Sequence, residues 1–164
     1  MKKLIIIIII IFFSNEVFAQ NNTELLGYEK FYRSFSSSFK YPIQLSDRCI
    51  PIFTIMFVQF SVEGKVDSIK FSDSAFPQFV NEVLRIKNNI DFYSLYKDIL
   101  KTNKDNNTVL IPIHIDSEQI GGCKSTITAN DMQNLFQFGG EPVYGNYYIY
   151  PVIYIKNLVG RADY

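Results

Sequence analysis

The chain has 164 residues, and its 16 Lys and Arg balance 16 Asp and Glu, so it is neutral overall. With no basic stripe, that balance argues against a nucleic-acid partner and against electrostatic recruitment to an anionic membrane. The length suits one domain able to bury a single core, and the 15 Phe and 11 Tyr, with no Trp, are material for it.

Lys2-Lys3, the apolar run Leu4 to Phe13, and Val17-Phe18-Ala19-Gln20 supply the three parts of a secretory signal peptide. They are two cations, a short apolar core and a small residue before the break. The run is ten residues, about 15 Å of helix, against the roughly 30 Å of a bilayer core. Extension through Ala19 would bury Ser14, Asn15 and Glu16. Residues 1–19 therefore read as the signal, cut between Ala19 and Gln20, with no stable membrane anchor left after cleavage. The mature chain is expected in the periplasm or the medium. In an oxidising compartment Cys49 and Cys123 form a bridge or stand as two separate buried thiols, and C-x-x-C redox chemistry is absent.

Thr23 to Lys40 carries Leu25, Leu26, Phe31, Phe35 and Phe39 mostly at spacings of four, which predicts an amphipathic helix ended by Tyr41-Pro42. Ile52 to Val62 alternates as a strand, covered on both faces at its start and on one at its end. Glu63-Gly64 turns it back into Val66 to Asp73, making a β-hairpin. Helical spacing returns from about Phe76 to Asn88, and Asp91 caps a second short helix. Thr108 to Asp116 is a third strand, in which Pro112 argues for an edge or a bulge. Thr128 or Asn130 caps a short helix running through Phe138. Tyr147 to Lys156 is a further strand with Pro151 inside it. The domain thus spans residues 20–156, with a core over about 29–115, an insertion over about 116–146, a strand over about 147–156 and a loose tail over 157–164.

The order helix, Tyr-Pro, strand, Gly turn, strand, helix, strand resembles the C-terminal domain of TonB and the exported TonB-like proteins of Bacteroidetes-type bacteria. Phe31-Tyr32, Phe39-Lys40-Tyr41-Pro42, Phe57-Val58-Gln59-Phe60-Ser61-Val62-Glu63-Gly64-Lys65-Val66, and Ser74 leading into the Phe79 to Leu84 helix carry the resemblance, over about Glu29 to Ile115. It implies an exported binding module that adds an extended guest segment of an outer-membrane protein to a sheet edge. The long Pro-rich spacer and retained anchor of a transducer are missing, so energy transduction is not implied.

The expected fold is α+β, a small antiparallel sheet with helices on one face. Its function is expected to be non-enzymatic binding of an envelope or outer-membrane protein, without a cofactor or metal and with the oligomeric state open. Pairing near Tyr147 to Ile155 would use Tyr148, Tyr150 and Tyr154, which alternation sets on one face, where core packing competes with a ligand platform. The alternative is a small secreted hydrolase or metal-dependent enzyme centred on His114, the single histidine, with Asp116 and Glu118 beyond it on the same strand face. Next neighbours on a flat face diverge rather than converge, which favours a solvated strand end.

Overall fold

A computed structural model describes residues 26–102 and 107–160. The expected signal sequence, its cut at Ala19 and Gln20, and residues 161–164 of the tail lie outside the described residues.

Helix α1 (Leu26–Ser38) has the expected fourfold aromatic stripe: Phe31 and Phe35 are fully buried and Phe39 stacks on Phe35. Tyr41-Pro42 bars its continuation, and a one-turn helix α2 (Ile43–Ser46) follows. Strand β1 (Ile52–Phe60) buries its whole even-numbered face, whereas the odd-numbered face passes from buried Ile55 to exposed Gln59. Ser61 N–H donates to the Lys65 carbonyl at 2.8 Å, closing the turn into β2 (Val66–Phe71). Gly64 holds φ +80° there, and an added Cβ would lie 2.4 Å from the Tyr96 ring, so both conformation and space require glycine.

Pro77 opens helix α3 (Pro77–Ile86), where a missing N–H goes unnoticed, and a 3₁₀ turn (Lys87–Asn89) ends it. Asp91 caps α4 (Phe92–Thr102) by accepting from Ser94 N–H at 3.0 Å. Strand β3 (Thr108–Gln119) is followed by a short helix α5 (Ala129–Gln133), whose Thr128 cap exchanges hydrogen bonds with Asp131. The two-residue strands β4 (Gln137–Phe138) and β5 (Glu141–Pro142) pair with each other. Strands β6 (Tyr148–Ile149) and β7 (Ile153–Val159) complete the main sheet.

The sheet runs β2, β1, β3, with β6 and β7 end to end along the far side of β3. Strand β1 is antiparallel to both neighbours, but β6 and β7 are parallel to β3. The fold is thus α+β with a mostly antiparallel sheet. Its parallel pairing follows from the insertion, because a parallel neighbour needs a long crossover and the chain between β3 and β6 supplies one. Helices α1, α3 and α4 pack on the even face of β1 and the odd face of β3, where Phe31, Met56, Phe60, Phe79, Leu95 and Ile111 meet. The insertion covers part of the other face, setting Leu135, Phe138 and Val143 on Ile55, Phe57 and Leu110. Asp73 fastens it by accepting from Gly139 and Gly140 N–H, both at 2.7 Å.

Several expectations change. The helix expected through Phe138 ends at Gln133, because the turn at Gly139-Gly140 draws Gln137–Phe138 into the β4–β5 pair, and the strand expected over Tyr147 to Lys156 is broken at residues 150–152 into β6 and β7. Strand β3 is central, so Pro112 marks no edge. Tyr150 N–H donates to the Leu110 carbonyl at 2.8 Å and Ile120 N–H to the Val159 carbonyl at 3.0 Å, so even-numbered β3 residues address β6 and β7. Pro112 accordingly turns its missing donor towards the break between those strands, where no ladder partner is lost. The tail also begins later than expected, because residues 157–159 belong to β7 and pair with residues 117–119.

Candidate functional site

Strict alternation would put Tyr148, Tyr150 and Tyr154 on one face, and the structure separates them. Leu110 pairs with Ile149 and Ile113 with Ile153, so the outer strand takes one residue more than β3 over the same span. The extra residue, at Pro151-Val152, reverses the phase. Tyr148 and Tyr150 therefore face the helices. Tyr150 is buried and its hydroxyl donates to Asp98 Oδ2 at 3.1 Å; burial, then the Asp98 carboxylate, push that hydroxyl far above the ordinary tyrosine value. Tyr154 points the other way, its ring centroid 5.2 Å from that of His114. The three tyrosines form no common platform.

The stretch Tyr147 to Ile155 does lie on a sheet edge, since among the described residues β6 and β7 pair only with β3. Its middle is covered by α1, however. Tyr28 donates to the Val152 carbonyl and Tyr32 to the Tyr154 carbonyl, each at 3.0 Å. Burial and the neighbouring Tyr32 push the Tyr28 hydroxyl above its ordinary value, which keeps it a donor.

His114 sits between Phe53 and Tyr154 on the insertion side of the sheet. Its Nε2 lies 3.0 Å from Asp116 Oδ1, the same oxygen to which Ser125 donates at 2.9 Å, and Tyr154 donates to Oδ2 at 2.8 Å. Burial alone would raise the Asp116 carboxyl, but the bonds from Tyr154 and Ser125 and the adjacent His114 outweigh it and hold the group below the ordinary carboxylate value. The arrangement converges on the carboxylate. A serine nucleophile would need the imidazole between hydroxyl and carboxylate, and here Ser125 meets the carboxylate directly. Glu118 pairs instead with Lys156 at 2.9 Å. Among the described residues no group of three or more His, Cys, Asp or Glu side chains is disposed to hold a metal ion. Nearby, Cys49 and Cys123 are joined as a disulfide, which ties the start of β1 to the loop that carries Ser125.

The opposite edge has different features. Among the described residues strand β2 pairs only with β1, and Ser72 N–H donates to the Ile55 carbonyl at 2.9 Å, so Ile69 and Phe71 direct their backbone groups outward. A groove of about 470 Å³ runs along this strand, walled by α3, the 3₁₀ turn and the start of α4. Val66, Ile69, Leu84, Ile90 and Phe92 line it with apolar surface and Tyr93 stands at one end. Leu84 is 42% exposed and Tyr93 54%, with the Lys97 ammonium 4.6 Å over the Tyr93 ring.

No protein family, characterised protein or solved structure matches this chain. Sequence reasoning missed Leu84 and Tyr93 as groove residues and Tyr28 and Tyr32 as edge contacts. A signal existed for each. Phe79, Val83 and Ile86 form the buried stripe of α3 and Leu84 falls off it, while Tyr28 and Tyr32 stand one helical turn apart beside the Phe31 and Phe35 stripe.

Proposed function

We propose that this protein is an exported, non-enzymatic binding module, TonB-like in its mode, that takes up an extended segment of an envelope or outer-membrane protein by adding it to a sheet edge. The observation that carries this reading is the groove along β2. An extended guest there would meet outward backbone groups at Ile69 for ladder bonds, and Leu84, Ile90 and Phe92 for one row of its side chains. The edge expected from the sequence, at Tyr148 to Tyr154, is the poorer of the two, because its carbonyls are engaged by Tyr28 and Tyr32. The crossed hydrogen bonds at Asp116 favour a structural role for His114 over the hydrolase alternative.

Selection of a displayed random-peptide library on the mature protein tests the reading. Expected is enrichment of extended sequences with apolar residues at alternate positions, whose binding shifts amide resonances of residues 64–69 and 84–93. Leu84→Glu should abolish that binding while leaving the fold intact, and His114→Ala should leave it unchanged. Failure of any peptide to enrich, or enriched peptides indifferent to Leu84→Glu, would sink the proposal.

A further inference from the structure

Strand β7 has a backbone edge that is complementary to itself. The bond from Ile120 N–H to the Val159 carbonyl sets its phase, so odd-numbered residues address β3. Tyr154, Lys156 and Leu158 consequently aim their N–H and C=O groups away from the sheet. An antiparallel copy related by a two-fold axis through Asn157 would set Lys156 opposite Leu158 and Tyr154 opposite Gly160. Within one copy Asp116 is in register with Lys156 and Glu118 with Leu158. A row crossing the seam would then read Asp116, Lys156, Leu158, Glu118, with no like charges facing one another. Lysine on an edge ordinarily repels a second strand, but Lys156 is already matched by Glu118 at 2.9 Å.

Against that complementarity stand two hydroxyls. Tyr28 and Tyr32 hold the carbonyls of Val152 and Tyr154. Their rings stack at 5.9 Å and Tyr28 also packs on Tyr150 at 5.6 Å, so both phenols are fixed in position. The Tyr154 carbonyl is one that a two-fold seam needs at each of its ends. We propose that β7 is a self-complementary surface whose partner is a second copy of this chain, and that Tyr28 and Tyr32 keep it shut. The proposal is independent of the β2 groove.

Sedimentation velocity on the mature chain tests it. Tyr28→Phe with Tyr32→Phe keeps both rings and frees both carbonyls, and should tighten self-association at least about tenfold. Tyr32→Phe alone should account for most of the gain and Tyr28→Phe alone for little, because the Val152 carbonyl held by Tyr28 lies outside the seam of residues 154–160. Adding Lys156→Pro removes an outward N–H without taking a backbone bond from β3, although it also ends the Lys156–Glu118 pair, and should return the double variant to the parent's state. A double variant with parental circular dichroism that sediments like the parent overturns the proposal, as does a dimer that survives Lys156→Pro. If the double variant loses its fold, Tyr32→Phe alone with and without Lys156→Pro carries the same test. A parent that already forms a cross-linked dimer through Asn157→Cys would also overturn the guarding role.

Discussion

Strands β2 and β7 each leave one side of the backbone without a strand neighbour among the described residues, and the protein finishes the two edges by different means. At the β6–β7 edge a helix lies alongside and lends tyrosine hydroxyls to the Val152 and Tyr154 carbonyls, so part of the hydrogen-bonding capacity is met without another strand. At β2 the helices stand back far enough to leave a groove, and a bulge at Gln59/Phe60 limits the regular ladder to residues 68–71. An edge needs partners for its backbone, but long side chains from a neighbouring layer can supply them. Where they do not, the same groups remain available to a guest.

Graded perturbation should affect the two edges unequally. The largest effect is expected from replacing Cys49 and Cys123 by serine, since the bridge spans a sequence separation of 74. On the chain-entropy model that loses about 4 kcal/mol, read by urea denaturation. Hydrogen exchange should quicken at β7 and the Ser125 loop well before β2, and equal quickening at both edges would erase the distinction. Gly64→Ala should cost about 1–3 kcal/mol in thermal unfolding, because it strains the turn that leads into β2 and presses on Tyr96. Here β2 should loosen first. Tyr150→Phe removes the donor to Asp98 beneath the β6–β7 break and should cost about 1 kcal/mol in denaturant titration, with β2 exchange unaltered.

Titration separates the edges again. The folded Asp116 carboxyl lies below its unfolded value, so its stabilising contribution is present above the unfolded value and is lost as pH falls through the lower folded one. Asp116 joins β3 to Tyr154 of β7, so acid should release β7 before β2, as amide exchange against pH would record. At the alkaline end burial pushes Tyr41 up to about 12, so its contribution is intact below the ordinary tyrosine value near 10.0 and is lost as pH rises from there through about 12. The smallest effect is expected of Lys65→Ala beside the groove. Its bridge to Glu63 is solvent-exposed, and denaturation should change by no more than about 0.5 kcal/mol.

Much of the architecture could be read in the sequence because it rests on local rules. Fourfold aromatic spacing marked α1, alternation and Glu63-Gly64 marked the β1–β2 hairpin, and Asp91 and Thr128 cap helices as their positions imply. The site was less legible. Pro112 signalled an edge or a bulge, and of these the edge fails while the outer strand does carry an extra residue opposite it; a proline's missing donor is visible in sequence while the direction it faces is not. Tyr148, Tyr150 and Tyr154 looked like one face because alternation cannot register a single extra residue at Pro151-Val152. The groove is built by Val66 and Ile69 on one side and Leu84 to Tyr93 on the other, and no local pattern records that two such segments stand apart.

Local patterns in the sequence are enough for the main helices and strands from α1 to β3, the hairpin, and the candidates for a disulfide. These follow from side-chain periodicity and from backbone restrictions at Pro and Gly, which act within a few residues. Packing of distant segments is what joins Cys49 to Cys123, sets β7 parallel to β3, brings Tyr28 and Tyr32 onto two carbonyls of one edge, and leaves a groove at the other. Those outcomes depend on which hydrogen-bonding groups and apolar faces the packing of distant segments brings together, and on which it leaves uncovered.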